Sequence, residues 1–371
     1  MNKKSEDWLK SRLGEIKSFT KYVKPKSVVD VALKAGVEPQ KVVKLNQNEN
    51  LFLPKEFLLS LIDEVIGEID PRVYPKEEET ELKDALGRYA GLPSDYVLLG
   101  SGSDQLIDLI VRTFLRKEDI SISISPTYSM YGWSANHLGV KYLEIPLKGD
   151  FSLDVEEILK SSKGRTGICF VCSPNNPTGN QFIEEDVTKL IESFPGLVLL
   201  DEAYVEFAEK SLTEFVKDYE NLIVTRTFSK AFGLAGLRAG YAIANPEVSN
   251  VTSEYAQFPY VLNCIALKLA LKVLDNIGKF RESIKGIILE REKLIRRLNG
   301  IKGVKAFKSD ANFVLFTVTN SYGRVFDEIL EKGILLRKIG RVLDLRGCLR
   351  TTVGLPYMND LLIEVLSSIG G

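Results

Sequence analysis

An α/β protein is what this chain predicts, with a mostly parallel sheet covered by helices in a large lobe and a smaller α+β lobe after it. Three observations lead there. The length of 371 residues exceeds the roughly 250 to 300 at which a single core stops growing, so about two lobes are expected. From Val43 onward short β-rich runs alternate with longer helical patterns, the signature of βαβ units. Runs such as Leu197 to Leu200 are apolar at every position, as strands are when helices cover both faces of their sheet.

Taken in order, the first forty-odd residues are polar and read as an arm, with an amphipathic stretch around Val28 to Leu33 and Pro25 barring a helix that runs through it. Strands are then expected at V-L-L (97–99), I-S-I-S-I (120–124), I-C-F-V (168–171), L-V-L-L (197–200) and L-I-V (222–224), each bounded by Gly, Pro, Ser or Asn. After Phe258-Pro259-Tyr260 the pattern is helical through Leu274 and again from Arg281 to Leu298, with short strands at Asn312 to Val318 and Leu349 to Val353. The expected division is an arm at 1–44 belonging to the small domain, a large domain at 45–260 and a small C-terminal domain at 261–371.

Lys and Arg number 49 against 50 Asp and Glu, so no bulk charge draws the chain to nucleic acid or an anionic membrane. No apolar run approaches the length of a membrane span, and the first residues lack a secretory pattern. The four cysteines are too few and scattered for a disulfide framework, which points to the cytoplasm.

In parallel sheets, ligands collect beyond the carboxyl ends of the strands. V-L-L-G-S-G-S-D-Q there passes from strand through a glycine turn to a helix start at Ser103 and Asp104, a place for a phosphate. It falls short of the dinucleotide fingerprint, because Gln105 occupies the third glycine position. An ordinary capped turn competes for the same residues. Tyr128 follows the next strand, where its face could stack on a planar ligand or simply pack. Asn176 is held in a Pro-Gly turn. Cys169 and Cys172 form a C-x-x-C, but their odd spacing on a strand sends them to opposite faces, which favours core residues over metal ligands. Asp201 ends four apolar residues and should need a cationic partner. Lys230, after Thr227 and Ser229, sits among Phe228, Ala231, Phe232 and Leu234, where its amine can be desolvated and made nucleophilic. Arg238 follows closely. A phosphate cradle, a stacking ring, an amide, a buried acid and a lysine make up the parts list for pyridoxal 5′-phosphate. No metal is implied.

With L-N-x-N-E-N near residue 48, then S-P-N-N-P-T-G, L-D-E-A-Y-x-E-F and T-x-S-K-A-F-G-L-A-G-L-R-x-G-Y, and G-C-L-R-x-T-V-G near residue 350, the chain resembles the fold-type-I pyridoxal-phosphate aminotransferases, with an aspartate-aminotransferase-like fold. Within them it is most similar to the histidinol-phosphate aminotransferases of histidine biosynthesis. The resemblance implies that Lys230 is the Schiff-base lysine of a ping-pong transfer, that Asp201 partners the pyridine nitrogen, and that Tyr204 and Asn176 partner the ring 3-oxygen. It implies that Tyr128 stacks on the ring, that Ser103, Asp104, Ser229 and Arg238 hold the phosphate, and that Tyr74 reaches the phosphate of a neighbouring subunit, hence a homodimer. Tyr22, Asn48, Asn176, Arg337 and Arg350 are the substrate residues so implied, for an amino donor and a 2-oxo acid acceptor. The arm reads K-Y-V-K-P where the family has P-Y-x-P-G, and N-E-N is followed by Leu51-Phe52-Leu53-Pro54. These departures lie beside the substrate and keep two alternatives open, an aromatic or broad-specificity aminotransferase and a threonine-phosphate-type decarboxylase. A non-catalytic nucleotide-binding module is the rival from outside the cofactor class. His137, the only histidine, is expected on a surface or in packing.

Overall fold

The computed structural model describes residues 3–19, 26–319 and 321–369. After a short strand β1 (Val43–Lys44) come β2 (Val97–Gly100), β3 (Ile120–Ser125), β4 (Lys141–Pro146), β5 (Gly167–Cys172), β6 (Gly196–Asp201), β7 (Leu222–Thr227) and β8 (Gly240–Ala244). β2 to β8 form one sheet in the order β2-β8-β7-β6-β5-β3-β4. All five expected runs in this region are strands of it. Every pairing is parallel except those of β8, which runs antiparallel to both β2 and β7. Sequence reading missed β8 and β4. G-Y-A-I-A is an apolar run but follows directly on a glycine-rich loop and reads as its tail, whereas β4 is an edge strand with Lys141 and Glu144 exposed and lacks the continuous apolar run of a central strand.

Side chains alternate across this sheet into two separate apolar layers. Cys169, Val171, Val198 and Leu200 enter one; Ile168, Phe170, Cys172 and Leu199 enter the other. That alternation is the period of two of a pleated strand, and it separates Cys169 from Cys172 as expected. Burial pushes the Cys169 thiol up to about 12, the state of an inert core cysteine.

The remaining strands build the smaller lobe. β9 (Val304–Ala306), β10 (Phe313–Val318), β12 (Arg337–Val342) and β13 (Leu345–Thr352) form an antiparallel sheet, whereas β11 (Ile334–Leu335) pairs in parallel with β1. Residues 43–44 are thereby tied to the C-terminal part of the chain. The helix Val28–Ala35 is opened by Ser27, whose hydroxyl accepts the Asp30 N–H at 3.0 Å. Ahead of it the stretch expected as a plain arm contains a sixteen-residue helix, Lys3–Ser18, with Trp8, Leu13 and Ile16 exposed.

Helix Cys264–Asp275 packs on helices Lys55–Glu68 and Lys76–Ala90. Lys268 reaches Glu81 at 2.9 Å and Lys272 reaches Glu68 at 2.8 Å. On this packing we propose that the lobes divide near Asn276 instead of at residue 261.

Candidate active site

A cleft of about 580 Å³ opens beyond the carboxyl ends of β5, β6 and β7, with β12 and β13 forming its other wall. Its lining brings together Ser103, Asp104, Tyr128, Asn176, Asp201, Tyr204, Ser229, Lys230, Arg238, Asn48, Arg337 and Arg350. These come from turns and strands more than 300 residues apart in sequence. Among the expected residues, Tyr74 lies outside this lining: it is exposed and stacks on Tyr260, ring centroids 4.6 Å apart. Tyr22 lies outside the described residues. His137 is exposed on helix Met130–Leu138, against the rings of Trp133 and Phe19.

One end of the cleft is built for an anion. The turn after β2 bends at Gly102 (φ +82) and opens the helix Ser103–Phe114, whose first amides lack intrahelical partners. A Cβ on Gly102 would come within 2.9 Å of the Arg238 guanidinium, so only glycine leaves this cradle open. Arg238 donates to the Ser229 hydroxyl at 3.2 Å and to Asp104 Oδ2 at 3.2 Å, and Asp104 Oδ1 also accepts the Tyr128 hydroxyl at 2.9 Å. A carboxylate repels phosphate, so the Asp104 side chain orients Arg238 and Tyr128, and its place at the helix start is what serves an anion. Gln105, at the missing glycine of the dinucleotide pattern, accepts the Ser101 N–H at 3.1 Å and bonds Gln257 at 3.0 Å. It is a turn-closing residue.

At the floor of the cleft, Asp201 is buried and forms no ion pair among the described residues. Its acceptors are met by the Tyr131 hydroxyl at 2.7 Å, the Ala203 N–H at 3.2 Å and the Thr225 hydroxyl at 3.3 Å. Burial pushes its carboxyl up to about 6. Among the described residues no side chain supplies the cationic partner expected from sequence, and an N–H⁺ on a bound ring would supply it. Lys230 Nζ donates to the Gln47 carbonyl at 2.9 Å; burial first, and then the Arg350 guanidinium, bring its amine down to about 8. That is a lysine prepared to act as a nucleophile. Anion cradle, unpaired acid and softened lysine together fit pyridoxal 5′-phosphate.

The polar wall is stitched by Asn48, which adopts φ +56. Its amide nitrogen donates to the Tyr204 hydroxyl at 3.1 Å, and its backbone N–H donates to Thr352 at 2.9 Å. Asn176 Oδ1 accepts from Arg350 Nη1 at 2.5 Å, and Arg350 Nη2 donates to the Asn46 carbonyl at 2.8 Å. Arg337 is the direct cross-strand partner of Arg350 in the β12/β13 pair, so two guanidiniums meet one cleft. Arg337 makes no ion pair among the described residues. The nearby Asp344 pairs instead with Arg341, at 3.6 Å. Sequence reasoning missed Tyr131, the carbonyls of Asn46 and Gln47, and the lining residues Lys338 and Arg341; only the i, i+3 spacing from Tyr128 hinted at Tyr131.

The family model for class I and II aminotransferases matches residues 40–366. A histidinol-phosphate aminotransferase of Caldanaerobacter subterraneus subsp. tengcongensis is 38% identical over 327 residues, covering 88% of this chain and 92% of that protein. The crystal structure of histidinol-phosphate aminotransferase from Sinorhizobium meliloti in complex with pyridoxal-5′-phosphate superposes with a TM-score of 0.84 at 26% identity, over 96% of both chains. L-threonine-O-3-phosphate decarboxylase from Porphyromonas gingivalis shares the fold alone, with a TM-score of 0.76 at 22% identity over 88% of this chain and 99% of that one. The chain belongs to the class I and II aminotransferases, pyridoxal-phosphate-dependent enzymes of fold type I.

Proposed function

We propose that the protein transfers the amino group of histidinol phosphate to 2-oxoglutarate, by a ping-pong reaction in which both substrates use the same cleft. The observation that carries this reading is the facing pair Arg337 and Arg350. Six basic side chains line the cleft against two carboxylates, Asp104 and Asp201. Arg238 is committed to the anion cradle, and an ordinary amino acid needs one guanidinium fork for its carboxylate. A second fork at Arg337, without an ion pair among the described residues, suits a substrate carrying a dianionic phosphate; each charge-assisted bond contributes about 1.5 to 3 kcal/mol.

The remaining roles follow from position. Pyridoxal phosphate, when bound, supplies an electron sink for the carbanion formed at the substrate Cα. Lys230 Nζ would take the proton from the donor's Cα and pass it to the C4′ carbon of the cofactor, the reverse transfer serving the 2-oxo acid; its lowered basicity keeps a useful share of the free amine near neutral pH. Asp201 would hold the ring nitrogen, Tyr204 and Asn176 the 3-oxygen, Tyr128 would cover the ring face, and Ser103, the Asp104 amide, Ser229 and Arg238 would hold the phosphate. The identity and coverage shared with histidinol-phosphate aminotransferases support the donor. We infer a homodimer in which Tyr74 serves the partner's cradle, which its exposure beside Tyr260 supports. A reducing, cytoplasmic location suits the four free thiols.

The test is a panel of amino donors, glutamate included, each followed as a single-turnover half-reaction with the pyridoxal form of the enzyme, read with wild type, Arg337→Ala and Arg350→Ala. We expect Arg337→Ala to weaken histidinol phosphate at least tenfold more than glutamate, and Arg350→Ala to damage both half-reactions. Equal loss for both donors in Arg337→Ala, or an idle wild type with histidinol phosphate, points to an aromatic or broad-specificity aminotransferase. Carbon dioxide release in place of amino transfer points to a decarboxylase.

A further inference from the structure

We propose that Tyr131 is a positioning residue for the reaction, its hydroxyl fixing the charge and direction of the one acceptor site on Asp201 that remains for the cofactor's ring nitrogen. The inference rests on the assignment of Asp201 above. Tyr131 is fully buried on helix Met130–Leu138, far in sequence from Asp201. Its ring lies flat on Phe170, centroids 4.9 Å apart and planes 13° apart, with the Tyr128 ring at 84° to it. Held from two sides, the ring has one direction in which to point its oxygen. That direction ends 2.7 Å from Asp201 Oδ2.

A carboxylate has about four acceptor positions, two on each oxygen. Among the described residues, Asp201 Oδ1 takes both the Ala203 N–H and the Thr225 hydroxyl, while Oδ2 takes only Tyr131. The vacant position is therefore on Oδ2, the same atom that Tyr131 touches. A donor on that oxygen stabilises the anion directly and opposes burial, the larger influence on this carboxyl, and the nearby Asp104 charge. Burial and Asp201 itself push the Tyr131 phenol well above its ordinary value, so it remains a donor at every working pH. A phenylalanine here would give the same stacking and core volume. The hydroxyl is what the packing does not require.

The test compares pyridoxamine 5′-phosphate with its 1-deaza analogue, in which a C–H replaces the ring nitrogen; neither bonds covalently to Lys230. Affinities are measured by fluorescence titration of cofactor-free wild type and Tyr131→Phe. Wild type should prefer the nitrogen ligand. Tyr131→Phe should bind pyridoxamine 5′-phosphate about tenfold more weakly while holding the deaza analogue within about twofold of wild type. An undiminished preference in the variant overturns the role of Tyr131 and leaves Asp201 standing. Parallel loss of both ligands also overturns it, since that is the result of damaged packing. A wild type with no preference removes Asp201 from the ring nitrogen, and the inference goes with it.

Discussion

At the scale of single residues, the site stores free energy that its cofactor releases. Asp201 has its carboxyl raised to about 6 by burial, above the ordinary 3.8 to 3.9 of an unfolded aspartate. A raised acid binds protons better folded than unfolded, so its contribution is favourable below about pH 4 and is lost as pH rises through about 6. At neutral pH the cofactor-free protein thus carries a penalty of up to about 3 kcal/mol, which a cationic ring nitrogen offsets. Asp201→Asn should raise the melting temperature of the cofactor-free protein at pH 7.5 while costing several orders of magnitude in turnover. A lower melting temperature would show that the carboxylate is not strained. For Lys230 the sign is reversed: its amine is lowered to about 8, against roughly 10.4 for a free lysine. Reductive labelling of the cofactor-free protein by pyridoxal phosphate at this one site should rise with a midpoint near pH 8. Lys230→Ala should lose the label and all measurable transfer while remaining folded.

Elements matter through where they end. The helix Ser103–Phe114 presents its amides only because the turn before it passes through φ +82, ψ +165 at Gly102, a region open in practice to glycine alone. Gly102→Ala combines backbone strain of about 1 to 3 kcal/mol with a methyl 2.9 Å from the Arg238 guanidinium. We expect a matching loss in chemical denaturation and at least tenfold weaker cofactor retention in equilibrium dialysis. Retention equal to wild type would mean that Arg238 does not share this cradle. The β12/β13 pair works by register. Arg337 faces Arg350, and beyond it the pairing is broken by irregularities around Gly340, of the kind that re-aim side chains beside active sites.

For the whole molecule, a site that needs a neighbour has a genetic signature. If Tyr74 crosses to the partner, a heterodimer of Tyr74→Phe and Lys230→Ala subunits contains one site with both defects and one with neither. Co-refolded mixtures should then exceed either parent in activity, given a clearly impaired Tyr74→Phe parent. No gain despite proven subunit exchange would confine Tyr74 to its own chain. The exposed Val73, Tyr74, Tyr255 and Phe258 are the apolar surface that such a partner would cover.

What the sequence determined by itself was the identity of the chemistry. Strand runs, glycine turns and the residues just after them are local features, and local order sufficed to place Ser103, Asn176, Asp201, Ser229 and Lys230 beyond strand ends. Tertiary structure decided the rest, because it depends on which distant segments close on one another. It set β8 antiparallel between β2 and β7. It brought Tyr131 to Asp201 across 70 positions and the Gln47 carbonyl to Lys230 across 183, and it laid Arg337 against Arg350 through strand register. Among the described residues it also surrounded Asp201 with neutral donors in place of the cation expected from its burial. The physical reason is that residue type follows from what a position must do, whereas the charge and direction of a buried group follow from neighbours that only the closed fold supplies.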